Sequence, residues 1–324
     1  MRVFVTGGNG FIGSAVVRTL AGAGHTVRCL LRATSDVHRL RSVPIERITG
    51  DVRQLDALRA GMRDCDGTIH LAAPGGWGSD DPRLLRDVIV HGTQNVLDAA
   101  AELVGHRVVH VSSTAAIAAS DEPRVFDETA EFNVREPALR YSHAKHEAEL
   151  RARDASARGV PVVVVNPAEV YGPGDTQLVS ASNLVDFATA MPVLVCDGGT
   201  SVVHVDDVAG GTVAALERGR PGERYILGGE NLTIRQLAGR VLALTGRRAP
   251  IVQVPNAIGR AASRAATALR IPLPYNPHVV EYATRYWFVD NAKARRELGV
   301  QFRRADVTIG ETLEWLKRDG YLRS

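Results

Sequence analysis

Short apolar runs alternate with amphipathic stretches through the first half of the chain. VFVT is followed by FIGSAVVRTLAGAG and then by TVRCLL. ERITG, a helical DALRAGMRDC, TIHLAA and the longer helical LLRDVIVHGTQNVLDAAAELVG come next, and VVHVSS, a helix containing YSHAK and VPVVVVNP complete the series. The apolar runs are β-branched and continuous, as in strands buried on both faces, and each pair is separated by a helical segment. This pattern predicts an α/β fold: a doubly wound parallel sheet with right-handed crossovers.

The rhythm changes after Pro167. Residues 168–203 are rich in loops (YGPGDTQ, CDGGTS), and 228–283 read as proline-punctuated helices without regular strand alternation. HVDDVAGGTVAALERG between them reads as a helix that returns to the sheet. The expected division is a dinucleotide-binding domain over 1–167, rejoined by 204–227 and part of 284–299. A smaller C-terminal lobe would comprise 168–203, 228–283 and 300–324.

Composition narrows the classes. The chain has 324 residues, 45% hydrophobic and 23% charged, which is ordinary for a soluble globular protein. A formal charge of +3, with arginines scattered among acids as in RARDASARG, argues against a nucleic-acid partner. Cys29, Cys65 and Cys196 lie far apart in or beside apolar segments, so buried free thiols in a reducing compartment are expected, and no metal site. The opening MRVFVTGG leaves no room for a signal peptide, and runs such as VPVVVV are too short to span a bilayer. A cytoplasmic chain with no membrane partner is the expectation.

TGGNGFIG, between the first strand and the first helix, sets Gly7, Gly10 and Gly13 in a G-x-x-G-x-x-G pattern, with Phe11 and Ile12 opening the helix. Free backbone N–H groups and the helix dipole attract phosphate there, and missing Cβ atoms let a pyrophosphate approach the backbone. At the end of the second strand, CLLRATSD carries Arg32 where an NAD site places an acid; no carboxylate follows until Asp36. An arginine at that turn accommodates a 2′-phosphate, so the cofactor reading is NADP, with NAD the alternative. In RYSHAK, Tyr141 and Lys145 are four apart and share one helix face. Taken alone, the pair also fits a core-edge tyrosine beside a solvated lysine.

With the glycine loop and YSHAK in one chain, the sequence resembles the extended short-chain dehydrogenase/reductases, the NAD-dependent epimerase/dehydratase group. TGGNGFIG, GDV (50–52), HLAA (70–73), HGTQNVLDAA, VSST, YSHAK, NPAEVYGPGD and HVDDVA carry the resemblance. GERYILGGENLT and FVDNAKARRELG look most like the subgroup of dihydroflavonol reductases and hopanoid-associated sugar epimerases. The resemblance implies a Rossmann-type sheet with a C-terminal substrate lobe, and a homodimer paired through helices that include the YSHAK helix. It implies that Asp51 and Val52 border the adenine and that Leu71, Ala72 and Ala73 line the ribose and nicotinamide side. By the same resemblance Thr114 supplies the catalytic hydroxyl, Tyr141 is the acid/base, Lys145 holds the nicotinamide ribose, and Asn166 and Pro167 flank the nicotinamide. Trp77, in APGGWGSDDP, falls in a loop where family members contact substrate.

Departures from the family pattern narrow the reaction. Sugar dehydratases follow the catalytic hydroxyl with Asp-Glu, whereas Thr114 is followed by Ala115 and Ala116. AAIAAS lacks the Tyr-Gly pair of many epimerases, and Ile89 and Val90 replace an asparagine ahead of the GT step. His70 reads as a packed or backbone-bonded histidine, and the HVDDVA acids read as helix caps. The leading expectation is NADPH-dependent reduction of a ketone on a small, polycyclic or sugar-like molecule. A nucleotide-sugar epimerase with tightly bound NAD is the alternative, and a non-catalytic cofactor-binding sensor a third reading.

Overall fold

The computed structural model describes residues 1–74, 81–269 and 277–322. The β-branched runs form β1 (Arg2–Thr6), β2 (Thr26–Leu31), β3 (Ile45–Thr49), β4 (Gly67–His70) and β5 (Arg107–Val111). After the two-residue β6 (Val125–Phe126), β7 (Val162–Pro167) continues the sheet. β8 (Glu169–Tyr171), β9 (Val193–Val195) and β10 (Gly199–His204) lie outside it, and β11 (Arg224–Leu227) returns as its last strand. The seven sheet strands are all parallel, in the order β3-β2-β1-β4-β5-β7-β11. Strand order reverses at β1/β4, where a crevice opens at the carboxyl ends.

Both faces of the sheet are covered because side chains alternate across each strand. Val3, Val5, Val109, Val163 and Val165 pack under α1 (Phe11–Gly22) and the later α7 (Val205–Arg218). Phe4, Val108, Val162 and Val164 face α2 (Leu55–Met62), α4 (Gly92–Ala101) and α5 (Arg140–Ala157). The long helix expected over 84–105 is broken up: α3 (Pro82–Leu85) runs into a π-helical turn, Arg86–His91, before α4.

A second core gathers Tyr171 with α6 (Ala181–Thr189), α8 (Ile234–Thr245) and α12 (Ala305–Arg318). α8 starts in a capping box, Thr233 with Gln236, and stops at Gly246 in the left-handed conformation. Contrary to the strandless reading of 228–283, β12 (Glu230–Thr233) pairs with β10, and β13 (Ile251–Gln253) pairs with β9. Short polar segments such as ENLT carry no strand period of their own, so only tertiary pairing reveals them. α9 (Asn256–Leu269) and α10 (Pro277–Ala283) follow, then β14 (Phe288–Val289) pairs with β6, and α11 (Ala292–Leu298) packs back on α7. Of the three thiols only Cys29 is fully buried; Cys65 and Cys196 are half-buried, short of the expectation for all three. Among the described residues, no helix is long and apolar enough to cross a membrane and no group of acids, histidines and cysteines could hold a metal ion.

Candidate active site

β1 delivers the chain to Gly7, which turns at φ +72° directly onto the end of β4. A Cβ on Gly7 would stand 2.8 Å from the Ala72 nitrogen, and one on Gly13 only 2.1 Å from the Gly7 carbonyl oxygen. Strand, loop and helix are therefore packed backbone to backbone. α1 then starts at Phe11 and Ile12 with no side-chain cap at Gly10 and no acid in its first turn. Its leading N–H groups are available to an anion, and the loop fits the pyrophosphate of a dinucleotide.

The other predicted contacts ring this crevice. Arg32 is exposed just past β2, in a turn closed by a hydrogen bond from its own N–H to Ser35 Oγ at 3.1 Å. Asp36 is occupied elsewhere: its carboxylate accepts from the His38 backbone N–H at 2.9 Å and pairs with the ring at 2.8 Å. Asp51 is gripped by Arg53 at 2.8 and 2.9 Å, which holds its carboxyl below the usual carboxylate range, and Val52 is buried against Gly92. Arg39, which sequence reasoning passed over, donates to the Asn9 carbonyl at 3.2 Å and the Gly174 carbonyl at 3.1 Å. It thus joins the glycine loop to the segment after β8. Leu71, Ala72 and Ala73 leave β4 partly buried, with Ala73 packed in the same cluster as Tyr141. Trp77 lies outside the described residues.

α5 brings the proton-handling groups to the same place. Lys145, 4% exposed, donates to the Val111 carbonyl at the end of β5 at 2.9 Å. Its nitrogen lies 5.8 Å from the centre of the Tyr141 ring. Burial lowers the ammonium to about 8, opposed by the Glu149 carboxylate. Burial also pushes the Tyr141 phenol well above its ordinary value, reinforced by Tyr282 and partly offset by a hydrogen bond with Ser113. Ser113, not Thr114, is thus the hydroxyl joined to the phenol here. Thr114 is buried at the head of a short 3-10 turn, Thr114–Ala116, which the Ser113 side chain caps. Both hydroxyls stand at the end of β5, and nothing in the run SST marks which one reaches the tyrosine.

Asn166 and Pro167 close the far side at the end of β7. The Asn166 amide donates to the Ser113 carbonyl at 3.0 Å and to Glu149 at 2.9 Å, and its own oxygen is buried without a partner. That spare acceptor fits a carboxamide-bearing ring at the nicotinamide end. The Tyr141 ring packs on Leu85 and Ile89 to one side and on Leu139 and Trp287 to the other. His143 turns off this face to bond the Glu136 carbonyl at 3.0 Å.

Histidines sit behind the site. His70 is bonded to hydroxyls rather than to backbone, Thr6 at 2.7 Å and Thr93 at 3.0 Å, and burial lowers it to about 3. His110, its neighbour in register on β5, is buried with both ring nitrogens unpartnered, and burial drives it well below its usual range. Both stay neutral in the folded chain and would charge only on unfolding below about pH 6.5. Stability is therefore expected to fall as pH drops from 7 to 5, each such histidine contributing at most about 1.4 kcal/mol per pH unit. The urea midpoint against pH checks this, and His110→Phe should flatten the slope. His204, grouped in the sequence with Asp206 and Asp207, itself caps α7 by accepting from the Asp206 N–H; the acids do not, and Asp207 pairs with Arg303.

A doubly wound sheet with an uncapped glycine-loop helix, and a phenol–ammonium pair beside it, defines a dinucleotide-dependent α/β enzyme. The model of the NAD dependent epimerase/dehydratase family matches residues 3–228, and the chain belongs to that family, the extended short-chain dehydrogenase/reductases. It is therefore an NAD(P)-dependent enzyme. It is 31% identical to a putative dihydroflavonol 4-reductase of a Synechocystis species, over 99% of this chain and 96% of that one. It is also 31% identical to a 4-hydroxy-2-methyl-3-oxo-4-farnesyl-3,4-dihydroquinoline-1-oxide ketoreductase of Stigmatella aurantiaca, over 99% and 97%. Among solved structures, dTDP-glucose 4,6-dehydratase of Streptomyces venezuelae with NAD bound superposes with a TM-score of 0.79 at 25% identity, covering 100% of this chain and 99% of that one.

Proposed function

We propose that the protein is an NADPH-dependent oxidoreductase that reduces a ketone of a small, apolar, ring-containing molecule, with Tyr141 as general acid. One geometry carries the reading: a phenol and an ammonium one turn apart on α5, with the Ser113 hydroxyl on the phenol, at the carboxyl ends of β5 and β7. The raised Tyr141 holds its proton through neutral pH, the state an acid requires. The dinucleotide, bound in its reduced form, supplies the hydride. Tyr141 gives its proton to the carbonyl oxygen as the carbon is reduced, and Lys145 favours the phenolate left behind. Ser113 and Thr114 orient that oxygen. Lys145 spends one N–H on Val111 and has two left for the cofactor's ribose hydroxyls.

The wall beside Tyr141 supports an apolar substrate. Ala115, Ala119, Val134, Leu139 and Trp287 form it, with Tyr282 against it. A nucleotide sugar would bring hydroxyls that this wall leaves unpaired, at a cost of roughly 1–3 kcal/mol each. The test follows NADPH absorbance across a panel of cyclic ketones and nucleotide sugars. Consumption of NADPH with ketones is expected, and turnover of a nucleotide sugar without added cofactor would overturn the reading. Arg32→Ala is expected to weaken NADPH binding about 10- to 100-fold, the worth of a charge-assisted phosphate contact, with NADH affinity nearly unchanged. Fluorescence titration with both cofactors measures it. The homodimer implied by the family resemblance, paired across α4 and α5, would carry the Arg86–Glu147–Arg151 ion pairs into its interface, and sedimentation would give the mass.

A further inference from the structure

We propose that Glu149 is a positioning residue of the active site: its buried carboxylate, one turn beyond Lys145, ties the ends of β5 and β7 together beneath the phenol and keeps the ammonium charged. The proposal rests on the reductase reading for what is positioned. Tyr141, Lys145 and Glu149 recur every four residues, so they stack along one side of α5. Glu149 is 3% exposed, and its oxygens are saturated. Oε2 accepts from Ser112 Oγ at 2.9 Å and from the Asn166 amide at 2.9 Å, while Oε1 accepts from Arg224 at 2.9 Å. Arg224, on the edge strand β11, is itself fixed by the Glu128 carbonyl at 2.7 Å and the Ala130 carbonyl.

Each tie leads to a group that touches the reaction. Ser112 precedes Ser113, the hydroxyl bonded to Tyr141. The same Asn166 nitrogen that meets Glu149 also holds the Ser113 carbonyl. One carboxylate thus sets two strand ends at once, and a carboxylate buried at this depth needs such partners. The charged and titratable groups facing Lys145 are Tyr141 and Glu149 on its own helix, His70 on β4 and His110 on β5; those facing Glu149 are Lys145, His146 and Arg224. Of the groups around Lys145, the two histidines are neutral and oppose its charge, and Glu149 favours it.

The experiment compares parent, Glu149→Gln and Ser112→Ala, each shown folded by circular dichroism. NADPH binding is followed by fluorescence and kcat by ketone reduction, both from pH 6 to 10. In Glu149→Gln the alkaline loss of NADPH binding and of kcat is expected to move to lower pH by about one unit, the size of shift a nearby opposite charge produces. Ser112→Ala keeps the charge and loosens the strand end, so its profile should stay in place while kcat falls about tenfold or more. An unmoved alkaline limb in Glu149→Gln overturns the proposal, as does a parental kcat in Ser112→Ala, which decides alone if Glu149→Gln does not fold. If the parent reduces no ketone but its NADPH-binding limb still moves in Glu149→Gln, the reductase reading fails and the role of the carboxylate stands.

Discussion

Replacing Tyr141 by phenylalanine is expected to cut ketone reduction by about 10²- to 10⁴-fold, the usual contribution of a positioned general acid. The ring packs between Leu85 and Ile89 on one side and Leu139 and Trp287 on the other, and phenylalanine fills the same space. Only the hydroxyl is lost. Its partner Ser113 is half-buried, so water can take up the freed bond and little stability goes with it. NADPH binding, which draws on the glycine loop, Arg32 and Lys145, should stay within about threefold, because no charged contact is removed. A loss in kcat with an unchanged cofactor Kd is the expected signature. A variant that keeps most of its turnover would show that the proton comes from elsewhere.

Gly13→Ala is expected to damage the cofactor site through backbone alone. The new methyl would lie 2.1 Å from the Gly7 carbonyl oxygen and 3.0 Å from the Gly8 Cα, none of it a flexible side chain that could swing away. Gly7 cannot retreat, since it already lies against the Leu71–Ala72 backbone at the end of β4. Overpacking of this kind costs about 1–3 kcal/mol, and the displaced helix start takes its N–H groups away from the pyrophosphate. Urea unfolding and NADPH titration should both record the change, with affinity down by about 100-fold for a misplacement near 1 Å. Gly22, at the other end of α1, is the control: an added Cβ there meets nothing within 4 Å, so Gly22→Ala should gain up to about 1 kcal/mol.

Much of this was readable in the residues themselves. VFV, TVRCLL and VPVVVV announced strands buried on both sides, and the glycine spacing with YSHAK placed the cofactor end and the phenol–ammonium pair. Short-range periodicity determines those features, so one strand of text suffices. What escaped depends on contacts between distant segments. Tyr282 stands beside Tyr141 across more than a hundred residues of chain, and Arg39 reaches Gly174 only because the fold brings them together. Ser113 and Thr114 are adjacent hydroxyls, and the 3-10 turn that follows them decides which meets the phenol. Glu149 was within reach, since the four-residue step from Tyr141 to Lys145 repeats once more, but a glutamate on a helix reads as solvated until its burial is seen.

The π-helical turn at Arg86–His91 makes the number of residues there as consequential as their identity. A π turn holds more residues than an α turn, so a single deletion would let the segment relax into regular α-helix and rotate everything beyond it by about 100°. Thr93 would then swing off the Ile89 carbonyl and off His70, and an imidazole beneath the cleft would lose one of its two hydroxyl supports. Side-chain exchanges in this stretch should be borne far more readily than the loss of one position.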